Sequence, residues 1–161
     1  MLNIQISGTD EVLKRLKSKP AQVRSALLQK VYILTLKLEA HVKNDKLSGQ
    51  VLNTVSGRLK RSIQSKIVDS GETITGQVFS SKDVPYNAIQ EFGGKTSAHL
   101  ILPNKAKALA FMYEGKMTFA RVVHHPGSVI PERSYLRSAL ADMKPEIIAE
   151  LTDEVKKALR S

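Results

Sequence analysis

PAQVRSALLQKVYILTLKLEAHVKNDK, residues 20–46, is the stretch that decides how this chain is read. Val23, Leu27, Val31, Leu34, Leu38 and Val42 recur at steps of three or four, the spacing of one face of an α-helix. Pro20 suits the first helical position, where its missing N–H leaves nothing unpaired. About 26 residues at 1.5 Å each predict a helix of roughly 39 Å. Ala26, Leu28, Ile33 and Leu36 are expected to widen its core-facing stripe. Such a helix outreaches the core of one small domain, so part of its length is expected to serve a partner subunit.

Outward from it, Asn3 to Ile6 alternates like a short strand, and Thr9 reads as the cap of a short helix with Val12, Leu13 and Leu16 on one side. On the C-terminal side, Gly57 to Ile63 predicts a helical turn. Gln64–Asp69 and Thr73–Ser81 alternate around Gly71-Glu72 and predict a hairpin. Pro85 to Phe92 reads as a short helix closed by Gly93-Gly94, and Leu100 to Leu102 as a strand stopped by Pro103. Leu109–Tyr113 and Met117–His124 predict a second hairpin around Glu114-Gly115, ended by His125-Pro126-Gly127. A final helix is expected from Pro131-Glu132 onward, with Pro145 as a kink or restart. Its stripe is Leu136, Leu140, Met143, Ile147, Leu151, Val155 and Leu159. The expected fold is a single α+β domain over residues 1–161. It has a basic helical part (1–66), a central antiparallel sheet of two hairpins (64–125) and a C-terminal helix (about 131–160).

Composition narrows the function classes. With 161 residues, 42 % apolar and 25 % charged, the chain has the balance of one globular domain with a real core. The longest uncharged apolar run, Val31 to Leu36, is far short of a membrane span, and no signal peptide is visible at the N-terminus. There is no cysteine, so disulfides and thiolate chemistry are excluded and a reducing compartment is expected. The net charge is +10, concentrated in residues 1–66, which carry 13 Lys/Arg against 4 Asp/Glu. Such a half can face nucleic acid, an anionic membrane or an acidic protein surface. Most of these cations are lysines without interleaved aromatics, which suits weak, sequence-blind attraction to phosphate rather than base reading or base stacking. Adjacent strand residues point to opposite faces, so His124 and His125 are not expected to chelate one ion, and no metal or cofactor is expected. No nucleophile elbow, P-loop or dinucleotide fingerprint is present, and an enzyme is not expected.

Four segments read in order resemble a known family. They are Gly57-Arg-Leu59-Lys-Arg-Ser62-Ile63, then Tyr86-Asn-Ala-Ile-Gln-Glu91-Phe92-Gly93, then Ile101-Leu-Pro103 with Ala108–Phe111, and last His125-Pro126-Gly127 with Pro131-x-x-Ser-Tyr-Leu136. The set is similar to the small head–tail junction proteins of long-tailed bacteriophages, the tail-completion, neck or minor tail proteins, over about residues 10–160. Gly94 stands where that family usually has Thr or Ser, and Ser134-Tyr135 where it often has Pro-Phe. The resemblance implies a non-enzymatic virion component assembled in the bacterial host cytoplasm. It would join the tail tube end to the head connector as a ring, commonly a hexamer, around a channel through which DNA passes without specific binding. Its partners would be other neck and tail proteins, with no membrane involved. The alternative reading is a basic, sequence-nonspecific nucleic-acid-binding protein.

The motif residues have mainly fold-defining roles by their chemistry: Gly57 and Gly93 at helix ends, Tyr86 and Phe92 packed under the sheet, and Glu91 on a backbone or Arg partner. The candidate interface is expected elsewhere. Lys30 and Lys37 of the basic part would face Glu146 and Glu150 of the next subunit's last helix. Gly94, Lys95 and Thr96, with the tip Glu114-Gly115-Lys116, bury little apolar surface and are expected to order on docking.

Overall fold

The computed structural model of the chain describes residues 20–160, so the expected strand at 3–6 and short helix after Thr9 lie outside the described residues. The long periodic stretch forms α1 (Pro20–His41), and the chain then continues as a wider helical segment, Val42–Gln50. Non-helical backbone at Ser48 and Gly49 ends it, two residues beyond the stretch read from periodicity. Next come α2 (Arg58–Ser62), β1 (Ile63–Asp69), β2 (Ile74–Ser80) and α3 (Asn87–Phe92). The short strands β3 (Gly94–Lys95) and β4 (His99–Ile101) precede β5 (Leu109–Tyr113) and β6 (Lys116–Ala120). The chain closes with β7 (Val123–His125), β8 (Val129–Ile130) and α4 (Leu136–Arg160).

The architecture is α+β, with small antiparallel sheets between two long helices. The strands do not form one central sheet. They make four separate two-stranded pairs: β1–β2, β3–β8, β4–β7 and β5–β6. Among the described strands only β1–β2 joins the main core, lying against α1, which packs on its other flank against α4. The stretch read as one strand, Met117–His124, breaks after Ala120, and Val123–His125 turns away to pair with β4.

The core collects Val31, Leu34, Leu38 and Val42 from α1 with Ile63, Val78, Tyr135, Ala139, Met143, Ile147 and Leu151. Leu28, Ile33 and Leu36 do not widen the buried stripe as expected; they face outward. With apolar residues on nearly all sides of α1, periodicity alone gives no means of choosing its buried face. α4 runs unbroken through Pro145. It begins at Leu136 rather than near Pro131, and its first turn takes its hydrogen-bond acceptor from α3, as described next.

Candidate assembly interface

The motif segments converge at the junction of α3 and α4. Gly93 ends α3 with φ 69°, a left-handed value that glycine adopts without a Cβ penalty. A Cβ there would also sit 2.8 Å from the Glu132 nitrogen, so this close return of the chain needs glycine twice over. Two residues earlier, Glu91 is 3 % exposed and carries its carboxylate into the start of α4. The amides of Tyr135 and Leu136 each donate to Oε2 at 2.8 Å, and that of Arg137 donates to Oε1 at 3.0 Å. The Ser134 hydroxyl adds a bond at 2.8 Å and the Arg137 Nε one at 3.1 Å. The free N–H groups of a helix start and the positive end of its dipole are satisfied by one distant anion.

Burial by itself pushes the Glu91 carboxyl up. The amides of Leu136 and Arg137, the Ser134 hydroxyl and the Arg137 guanidinium outweigh it together, so the group sits below its ordinary value. The Tyr135 hydroxyl donates to the Asn87 carbonyl at 3.3 Å, and burial, helped by the nearby Glu91 charge, pushes its pKa up to about 12. Phe92 does not pack under the sheet as expected: its ring is exposed and covered by the Arg137 guanidinium, 4.7 Å from the centroid. Glu91 thus pairs with backbone amides and with the Arg137 guanidinium.

The other motif residues are spread around this junction. Gly57 caps α2 at φ 70°, Leu59 packs on the core edge, and Ile63 is fully buried. The Ser62 hydroxyl bonds the Leu59 carbonyl and pairs with the Ser80 hydroxyl across the hairpin. Tyr86 is half-buried beside α3 and, with Gly57, Leu59, Gln90 and Arg133, lines an open groove of about 320 Å³. Pro103 lies between β4 and β5, Pro126 and Gly127 between β7 and β8, and Pro131 just after β8.

The charged pairs expected between subunits are made within the chain. Lys30 Nζ reaches Glu150 at 3.1 Å and Glu154 at 3.4 Å, while Lys37 Nζ reaches Glu146 at 3.0 Å and Glu150 at 2.7 Å. Lys46, almost fully buried, reaches Asp142 at 2.6 Å. These bonds zip α1 to α4, so the acids of α4 are already occupied and do not await a neighbour's lysines. Hydrogen bonds from Lys37 and then Lys30 hold the Glu150 carboxyl down at about 2. A depressed folded-state value supports folding above the ordinary carboxylate range, and that support is lost as pH falls toward 2. Lys37→Glu would set a third carboxylate against Glu146 and Glu150. The expected result is a lower melting temperature for the monomer at neutral pH, with the deficit shrinking in high salt and on acidification. Equal melting temperatures in low salt would show that the pairs contribute nothing.

The segment Gly94–Thr96 is also tied down. Gly94 and Lys95 pair with Ile130 and Val129, and the Thr96 amide donates to the Ser128 carbonyl at 2.9 Å. Its expected ordering on contact has no basis in this geometry, since its backbone bonds are already made. Glu114 (φ 49°) and Gly115 (φ 75°) form a two-residue hairpin turn, both in the left-handed region that such turns require, and Lys116 pairs with Tyr113 at its base. His99 and His125, opposite each other on β4 and β7, stack at 4.9 Å. No group of three or more His, Asp or Glu among the described residues is placed to hold a metal ion, and no described helix is long and apolar enough to cross a membrane.

Sequence reasoning missed the exposed apolar surface. Leu28, Tyr32, Ile33 and Leu36 on α1, and Met112, Met117 and Phe119 on the β5–β6 hairpin, all face solvent. The signal was present in the hairpin, where apolar residues fall on both faces of two strands. No protein-family model matches the chain, and neither a curated protein nor a solved structure matches it.

Proposed function

We propose that this protein is a non-enzymatic tail-completion or neck component of a long-tailed bacteriophage. In this reading it acts as a ring, commonly sixfold, that joins the tail tube end to the head connector and lets DNA pass through. The observation that supports it is the meeting of motifs far apart in sequence. Tyr86–Gly93 and Pro131–Leu136, two segments of the phage-protein resemblance, meet as one unit organised by Glu91. Pairing of Arg24, Lys30, Lys37 and Lys46 with Asp69, Glu150, Glu146 and Asp142 leaves less of the positive charge free for phosphate, which favours a protein partner over DNA.

Deletion of the gene from the phage or prophage that carries it is the test. Filled heads and finished tails that accumulate unjoined are the expected result, and normally joined particles would overturn the reading. A salt titration with random-sequence DNA separates the alternative. Binding that persists at moderate salt, with no association with tail proteins, would favour a nucleic-acid-binding protein.

A further inference from the structure

Exposed apolar residues of the described chain also occur at Phe92, Leu100, Leu102 and Val129, and two further groups each share one face of a helix or of a ribbon. The outward positions of α1 from residue 21 to 36 are Ala, Gln, Ser, Leu, Gln, Tyr, Ile and Leu, with no charge among them. Leu28, Tyr32, Ile33 and Leu36 form the centre of this stripe, Tyr32 being 55 % exposed. The other long helix is built differently: the outward positions of α4 include Arg137, Asp142, Lys144, Glu146, Asp153 and Lys156. In a chain of net charge +10, an outer face free of charge up to the exposed Lys37 near its C-terminal end, on one helix alone, has the composition of an interface core.

The second face belongs to the β5–β6 hairpin. Its register sets Ala110 opposite Phe119 and Met112 opposite Met117, so these four side chains share one side of the ribbon. All four are exposed, Met117 at 60 % and Phe119 at 69 %. Among the described residues the ribbon pairs with no third strand, and a two-stranded hairpin in water is marginal on its own. Methionine side chains on such a face adapt readily to a partner's shape.

We propose that the Met112–Met117–Phe119 face of one copy docks on the Leu28–Tyr32–Leu36 stripe of the next copy, head to tail. One contact of this kind covers both faces, whereas pairing α1 with α1 leaves the hairpin bare and pairing hairpins leaves α1 bare. The dimensions agree. Ala110 to Met112 spans about 7 Å along its strand, and Leu28 to Leu36 rises about 12 Å along the helix, long enough to seat it. Taking about 200 Å² for a fully exposed large side chain, the two faces together offer roughly 750 Å² of apolar surface. At the usual apolar share this corresponds to an interface of about 1,200 Å², the lower edge of the specific range. Each contact is therefore weak alone, and because it is heterologous it propagates into a closed ring or an open filament. The inference rests on these two faces and holds whether or not the assembly sits in a virion.

The absence of cysteine makes the test clean. In the full-length chain, Leu36→Cys and Met117→Cys are made singly and together, and treated with a short bis-maleimide at increasing protein concentration. The double variant is expected to give a ladder of dimers, trimers and larger species, and each single variant to remain monomeric. A dimer from Leu36→Cys alone or Met117→Cys alone would mean that like faces pair, and would overturn the proposal. So would a double variant that stays monomeric at near-millimolar concentration, or a Leu36→Cys thiol that a maleimide cannot reach in the monomer, which would mean that the stripe is already covered within one chain. As an independent readout, Leu36→Asp and Phe119→Asp should each lower self-association about tenfold or more. Mixed together they should form a dimer and nothing larger, because each retains the face that the other lacks. Circular dichroism of every variant should match the wild type, since the substituted side chains are exposed. Failure of these contacts would leave the gene-deletion result untouched.

Discussion

Glu91→Ala is expected to be among the most damaging single substitutions in the chain, costing about 3–5 kcal/mol, the range for breaking a buried ionic network by removing one partner. Three amides at the start of α4, one hydroxyl and one guanidinium converge on this carboxylate. Alanine would leave the Tyr135 amide unpaired in a residue that is 1 % exposed. For a chain of this size the loss corresponds to a fall in melting temperature of about 10 °C or more. Glu91→Gln is expected to recover only part of it: the amide oxygen still accepts, but the NH2 group meets donors, and the charge favoured by the helix dipole is gone. Thermal unfolding of the two variants checks the order, and a Gln variant as stable as wild type would show that shape rather than charge holds the junction.

The same carboxylate predicts a pH dependence. Its folded-state pKa lies below the ordinary 4.5, because its donors outweigh the cost of burial. A group with a depressed folded-state value contributes stability above its unfolded value and loses it as pH falls through the folded one. The stability difference between wild type and Glu91→Gln should therefore be full at neutral pH and shrink below about pH 4.5. A difference that stays constant down to pH 3 would assign the effect to packing.

Much of this organisation was legible in the residues, and what was not has a common cause. The buried positions Val31, Leu34, Leu38 and Val42, the first hairpin and the stop of α3 at Gly93 all follow from local periodicity, turn chemistry and glycine's tolerance of positive φ. The errors concern choices made over distance. The last helix is expected from Pro131-Glu132, yet it starts at Leu136, where the anion comes from Glu91 in another element. Lys30 and Glu150 carry complementary charges, but those charges say nothing about whether the partner lies on the same chain. Leu28, Ile33 and Leu36 fit a core-facing stripe as well as Leu34 does, and only the positions of β1–β2 and α4 decide which side is covered. Pairing of β4 with β7, instead of one continuous strand into the second hairpin, likewise depends on contacts with no local signature.

The hairpin's fit against α1 supplies the second large prediction. A glycine in the middle of a strand ordinarily weakens it, yet Gly76 sits inside β2 opposite Ile67 and is buried. The reason is the helix beneath. A Cβ at this position would overlap the Thr35 hydroxyl and stand 3.2 Å from the Thr35 Cβ and 3.4 Å from Val31 Cγ1. Thr35 has little freedom to move aside, since it is β-branched and its buried hydroxyl donates to the Val31 carbonyl at 2.7 Å. Gly76→Ala must therefore lift the hairpin from α1 or force Thr35 off its rotamer, at a cost of about 1–3 kcal/mol, and Gly76→Val should cost more. Thr35→Ala alone removes a bonded hydroxyl and leaves a small void, a loss of about 1 kcal/mol. Combined with Gly76→Ala it takes away the overlapping atom, so the double variant should be more stable than Gly76→Ala by itself. Denaturant melts of the four proteins close the cycle. Simple additivity of the two losses would mean that the strand and the helix do not meet at this point as closely as the geometry requires.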